Sequence, residues 1–231
     1  MKYIVIGLGN FGSTLSMALT EMGFEVIAVD SDMKKVNEFK DRVTHTICLD
    51  SGDKAAMETL PLKDSDAVIV AIGEDFGASV LSTAVLKQLG AKKIIGRAIS
   101  DLHHTVIEAI GVEEIIRPEE ESASRLAKRL QLKGVVDSFE ISEDYNIVET
   151  EIPERYFGKT VEEANLRQEF NLNILTIIRM EKTKNIIGQS SSKRQVMGVV
   201  SPQTVFKEGD IIVLFGNNKD IKKCLSQEPM V

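Results

Sequence analysis

The chain has no tryptophan, three tyrosines, two cysteines and five prolines in 231 residues. Cys48 and Cys224 stand far apart and match no metal or redox spacing, so neither a disulfide framework nor a zinc site is expected. Both thiols read as small buried apolar side chains of a reducing compartment. Histidine is scarce too, with three in the chain. Two of them, His103 and His104, are adjacent on a predicted helix and so point to different faces, a poor metal pair; one is expected to pack or cap. No apolar stretch approaches the ~18 residues of a membrane span, which argues against direct membrane insertion. Met1 and Lys2 run straight into an apolar strand and leave no room for a signal peptide. Positive charge is in deficit, 28 basic against 35 acidic residues for a net charge of −7, which disfavours nucleic-acid binding. These absences describe a soluble, cytoplasmic protein of one large or two small domains. The 43% hydrophobic content is enough for a core without staples.

What is present begins at the first residues. Lys2 to Ile6 is a strand, Gly7-Leu8-Gly9-Asn10-Phe11-Gly12 a glycine turn, and Asn10 to Met22 a helix closed by Gly23. Glu25 to Asp30 is a second strand that leaves an acid at its carboxyl end. In such a turn the first glycine (Gly7) allows the tight bend, the second (Gly9) lets backbone approach a pyrophosphate, and the third (Gly12) permits close helix–strand packing. The helix N-terminus supplies free N–H groups and partial positive charge for an anion. Asp30 is placed to accept ribose hydroxyls, and the Gly12-to-Asp30 interval is near the roughly 20 residues expected of a dinucleotide fold.

Strands and helices then alternate. Asp32 opens a charged second helix through Val36 and Phe39. Thr44 to Cys48 is a third strand, followed by the polar cluster Leu49-Asp50-Ser51-Gly52-Asp53. That cluster reads equally as ligand contacts at a strand end and as an N-cap, by Ser51 or Asp53, for a helix through Leu60. Ala67 to Ile72 is a continuous apolar run, the mark of a strand buried on both faces. Gly73 follows it, then a helix from Phe76 to Leu89. Lys93 to Arg97 is a fifth strand, with Arg97 at its end as a cation for phosphates. Asp101 is expected to cap a helix to Ile110, Gly111 to end it, and Val112 to Ile116 to form a sixth strand. Pro118 opens a further helix to Leu132, with Ala123, Leu126, Ala127, Leu130 and Leu132 apolar and Lys128, Arg129 and Lys133 among them. Residues 1–135 thus read as a Rossmann-like doubly wound parallel sheet of α/β class.

Residues 136–231 read as a small α+β domain. Val135 to Ile141 and Asn146 to Ile152 alternate like strands with one wet face. Thr160 caps a short helix to Ala164, and Asn173 to Met180 is the most apolar strand. Glu181 to Gly198 reads as a mobile loop, with or without short flanking strands. Ile211 to Phe215 is a final strand, Gly216 to Asn218 a turn, and Ile221 to Leu225 a terminal helix.

Both halves resemble the RCK (regulator of potassium conductance, TrkA-family) subunits of Ktr/Trk potassium uptake systems, over essentially the full length. In the first half the resemblance rests on Ile6 to Gly12, Ala28-Val29-Asp30, Val68 to Gly73 with Ala78-Ser79, His103-His104, Ile110-Gly111 and Ile116-Arg117-Pro118-Glu119. In the second it rests on Asn165-Leu166-Arg167, Ile174-Leu175, Ser201-Pro202, Lys207-Glu208-Gly209-Asp210 and Phe215-Gly216. It implies a cytoplasmic homodimer assembling into an octameric ring beneath a membrane potassium-translocating subunit, with nucleotides switching the ring between shapes. Gly7, Gly9, Asn10, Phe11, Gly12 and Gly73 would then surround the nucleotide, with Asp30 on the ribose, Asp50 and Ser51 beside the adenine and Arg97 at the phosphates. Glu119 would reach the partner chain's nucleotide, directly or through a cation, and the helix after it would exchange between chains. Members of this kind that bind ATP often carry arginine where this chain has Asn10, so NAD(H), ADP and AMP stand beside ATP as cofactors. Asp30 argues against NADP, whose 2′-phosphate it would repel. Leu166, Arg167, Ile174 and Pro202 match positions near a cyclic di-AMP cleft of some relatives, from which the insertion at Gln189 to Val196 departs.

The competing reading is an NAD-dependent oxidoreductase. It needs a positioned acid or base, yet Tyr3, Tyr145 and Tyr156 lie in no Tyr-x-x-x-Lys pattern (Lys159 is one residue short), leaving His103 and His104 as formal candidates.

Overall fold

In β1 (Lys2–Ile6), successive side chains feed opposite sides of one sheet: Ile4 and Ile6 enter one core, Val5 the other. This period of two, with apolar residues at both phases, is what a strand covered on both faces requires. β2 (Glu25–Asp30) and β4 (Ala67–Val70) flank β1 in parallel and follow the same rule. With β3 (His45–Cys48), β5 (Ile94–Arg97) and β6 (Glu114–Ile116) they form a six-stranded parallel sheet of order β3-β2-β1-β4-β5-β6. The order reverses beside β1, which opens a crevice at the carboxyl ends of β1 and β4. The computed structural model describes residues 1–131, 134–184 and 190–226. The chain divides into two units, Met1–Glu120 and Glu121–Val231.

In the first unit, Phe11, Leu15 and Leu19 of α1 (Asn10–Glu21) and Val36 and Phe39 of α2 (Met33–Phe39) cover one face of the sheet. Met57 of α3 (Lys54–Met57), Val85 and Leu86 of α4 (Phe76–Gln88) and Ile107 of α5 (Asp101–Ala109) cover the other. Gly12 is where α1 meets the sheet: a Cβ there would lie 1.8 Å from the Gly7 carbonyl oxygen. Several boundaries differ from expectation. Asp53 caps α3, which stops at Met57 rather than reaching Leu60. Ser100, not Asp101, caps α5, its hydroxyl accepting from the His103 N–H, and Asp101 instead meets Arg117 at 2.9 Å. β4 ends at Val70, although the Ala71 N–H still reaches the Ile6 carbonyl at 2.8 Å. Cys48 is half-buried rather than buried, its thiol turned to the Ser31 carbonyl.

α6 (Pro118–Gln131) starts with proline at its first position, where a missing N–H costs nothing. Its expected continuation, Leu132 and Lys133, lies outside the described residues.

The second unit is built on a five-stranded antiparallel sheet of order β10-β9-β11-β8-β7. Its strands are β7 (Val135–Glu140), β8 (Tyr145–Glu151), β9 (Asn173–Lys184), β10 (Ser190–Val196) and β11 (Ile211–Asn217). Short helices α7 (Val161–Ala164), α8 (Leu166–Phe170) and α9 (Asn218–Leu225) accompany it among the described residues. Val148, Leu172, Ile177, Phe206, Leu214, Ile221 and Cys224 share its core. Of Glu181 to Gly198, expected as a loop with or without short flanking strands, the flanks are strand: β9 extends to Lys184 and pairs antiparallel with β10, while residues 185–189 lie outside the described residues. β11 likewise runs through Gly216, where a turn was expected. The strand packs so tightly there that a Cβ would sit 2.3 Å from Leu172. No helix among the described residues is long and apolar enough to cross a membrane.

Candidate nucleotide site

The parallel sheet sends the connections that follow its six strands to one edge, and most of the expected site residues lie there. Gly7 adopts φ +98°, a left-handed conformation that glycine takes without strain, and its N–H bonds the Val29 carbonyl at 2.7 Å. Gly9 is the N-cap of α1 and makes no side-chain cap. A Cβ built on it meets nothing within 4 Å, so the helix start faces open space. The first turn of α1 contains no acid, and Asn10 is exposed. An incoming anion therefore meets free N–H groups and no opposing carboxylate in that turn.

Asp30 is nearly buried and ties two loops together. One oxygen accepts from the Leu8 N–H at 2.7 Å, the other from the Asp32 N–H at 2.9 Å, and Lys35 Nζ stands 3.9 Å away. Its carboxylate thus sets the shape of the glycine turn and keeps lone pairs for hydroxyl donors. At the end of β3, Asp50 is exposed and accepts from the Gly52 N–H at 2.8 Å. Ser51 is buried and lies 2.7 Å from the Ser82 hydroxyl of α4. Because Ser82 donates to the Ala78 carbonyl, Ser51 is the donor between the two hydroxyls.

Arg97 converges on the same edge from β5. Its guanidinium lies across Gly73, where a Cβ would come within 2.6–2.8 Å, and stacks 5.5 Å from the Phe11 ring centre. One terminal nitrogen donates to the Ala71 carbonyl at 3.2 Å, and the other pairs with Glu119 in the first turn of α6. Its Nε is buried with no hydrogen-bond partner among the described residues. Phe11, Gly73, Arg97 and Glu119 thus form one connected group. The sequence pointed to each of them separately. It did not reveal the stacking of Arg97 on Phe11, the Ala71 acceptor or the Ser82 anchor, since each is made by residues brought together only by the sheet.

His103 is fully buried, 4.9 Å from the Phe76 ring centre, and its Nδ1 accepts from the Ile99 N–H at 3.3 Å. Burial lowers its pKa. In the second unit, Leu166 is buried in the core and Ile174 packs against it. Arg167 and Pro202 are exposed, the Pro202 carbonyl accepting from the Glu162 N–H at 3.0 Å. Among the described residues no group of three or more His, Cys, Asp or Glu side chains could hold a metal ion.

A doubly wound sheet with a glycine turn and a strand-end acid, followed by a small antiparallel domain, defines an α/β protein of the dinucleotide-fold class with an α+β companion. More particularly, the chain belongs to the TrkA family: the TrkA-N domain matches residues 3–118 and the TrkA-C domain residues 147–226. It is 35% identical to Ktr system potassium uptake protein C of Bacillus subtilis (strain 168), over 96% of this chain and 95% of that protein. It is 32% identical to Ktr system potassium uptake protein A of the same organism, over 96% and 94%. Among solved structures, the GsuK channel bound to NAD shares the fold with a TM-score of 0.62 at 14% identity, covering all of this chain and 40% of that one.

Proposed function

We propose that this chain is the cytoplasmic, nucleotide-sensing regulatory subunit of a potassium uptake system. The observation that carries the reading is the convergence of a bare helix N-terminus, Asp30 and Arg97 on one sheet edge, in a chain similar to Ktr potassium uptake proteins along nearly its whole length. The ligand is an adenine nucleotide: NAD(H), ATP, ADP or AMP. Gly7, Gly9, Asn10, Phe11 and Gly12 would line the phosphate path, Asp30 would take the ribose, Asp50 and Ser51 would lie beside the base, and Gly73 and Arg97 would stand at the phosphates.

Regulation of this kind needs no covalent chemistry. A ligand that binds one conformation better than another shifts the population by its differential affinity. The regulated body would be a homodimer built into an octameric ring, held to the inner membrane face by a potassium-translocating partner. Cyclic di-AMP is a candidate ligand of the second unit through Leu166, Arg167, Ile174 and Pro202. Of the two histidines the oxidoreductase alternative would draw on, His103 is enclosed against Phe76.

Thermal shifts with ATP, ADP, AMP, NAD, NADH and cyclic di-AMP, read beside the mass in solution, test the proposal. A nucleotide at ~100 times its Kd should stabilise by about 2.7 kcal/mol, on a large oligomer without turnover. Hydride transfer to any metabolite by a monomeric chain would overturn it. Asp30→Ala should weaken binding, and unchanged affinity would refute the ribose assignment.

A further inference from the structure

We propose that Glu119 is an internal competitor of the nucleotide: its carboxylate holds the guanidinium of Arg97 that a phosphate must take, so binding exchanges one anion for another on a single cation. This rests on the nucleotide reading above and names the regulation of that site.

The two partners of the pair are unequal. Arg97 is confined, with its side chain 14% exposed, stacked on Phe11, seated over Gly73 and bonded to the Ala71 carbonyl. It cannot withdraw without abandoning all of these. Glu119 is 61% exposed and can swing into water without leaving a buried charge. The fixed member is therefore the cation and the movable member the anion, the arrangement an exchange requires.

Arg97 also has unused capacity. A guanidinium carries five N–H donors in a fixed fork. Here one terminal nitrogen serves Ala71, the other Glu119, and the buried Nε serves no acceptor among the described residues. Buried donors without acceptors are rare in folded proteins. A phosphate, with several oxygens, can engage more of the fork than a single carboxylate oxygen does. It would also repel a carboxylate left in contact with the same cation.

The release need not unravel the helix that carries Glu119. Arg117 holds Asp101 at 2.9 Å and Glu120 at 2.6 Å, anchoring the start of α6 independently of Arg97. Glu119 can therefore let go as a side chain while the turn around it stays placed.

Competition of this kind lowers apparent affinity by the fraction of protein whose Arg97 is free. Titration calorimetry with ADP and with NADH, in EDTA to remove bridging cations, tests it on the full-length chain, Glu119→Gln, Arg97→Gln and the double variant. Glu119→Gln should bind about two- to sixfold more tightly, the range set by an ion pair of this exposure. Arg97→Gln should bind more weakly, and on that background Glu119→Gln should change nothing. Unchanged or weaker binding by Glu119→Gln would overturn the exchange. So would equal tightening with and without Arg97, which would be simple charge repulsion. Absence of binding by the unaltered chain would remove the nucleotide site itself, and the exchange with it.

Discussion

His103 is enclosed in the first unit, where the Ile99 N–H occupies its Nδ1 and so leaves the proton on Nε2. That nitrogen has no acceptor among the described residues, and burial favours the neutral ring. A histidine whose folded pKa lies below the unfolded value of ~6.5 is neutral in both states at higher pH and contributes nothing there. As pH falls through ~6.5 the unfolded chain gains a proton that the folded one refuses, so stability declines. The melting temperature of the full chain should therefore drop between pH 7 and pH 5, and His103→Gln should flatten part of that slope. Parallel slopes would show that other groups set it. At this scale the glycine turn and Asp30 were legible because backbone geometry dictates the residue type. Gly12 sits where no Cβ fits against Gly7, and that demand reaches the sequence as a glycine. The Arg97–Phe11 stack leaves no such mark, since either residue alone would pass as a surface arginine or a core aromatic.

Among the elements, the loop before β11 is organised around a buried carboxylate. Asp210 accepts from Arg179 Nε at 2.7 Å and Nη2 at 2.6 Å, and from the Lys207 N–H at 2.8 Å, with almost no exposure of its own. Arg179 also donates to the Val205 carbonyl, so one ion pair fastens β9 to the chain entering β11. Asp210→Ala removes a buried acceptor shared by the Arg179 guanidinium and the Lys207 N–H, a loss of roughly 1–3 kcal/mol. Urea unfolding should show a lower midpoint with unchanged slope, and a midpoint near that of the unaltered chain would demote the pair to a surface contact. β1 and β2, continuous apolar runs bounded by a glycine turn and a terminal acid, were readable end to end. β10 was not: its Ser-Ser-Ser-Lys-Arg run offers no apolar alternation, because an edge strand is held by backbone bonds to β9 and needs no apolar side chain of its own. α8 escaped notice because five residues between two left-handed asparagines, Asn165 and Asn171, give too short a window for helical spacing. The cap of α5 was misplaced by one residue, since Ser100 and Asp101 are both good caps and local preference alone does not rank them.

Across the whole molecule, the two units each carry one cysteine, and their surroundings differ. Cys224 is sealed in the core of the second unit, where burial pushes its thiol up to about 11. At neutral pH its thiolate fraction is on the order of 10⁻³ or less, and the thiolate is the reactive form. Cys48 is half-buried at the carboxyl end of β3, in register with Asp30 on β2. A maleimide dye should therefore modify the native chain once, at Cys48, and modify both thiols only after unfolding, as intact mass spectrometry would show. Two native adducts would contradict the sealed core. Cys48 lies beside Asp30, the proposed ribose ligand, so saturating nucleotide should slow the single native reaction. The protein thus carries its own attachment point for a fluorescent reporter of occupancy, with no engineered cysteine and no native one to remove.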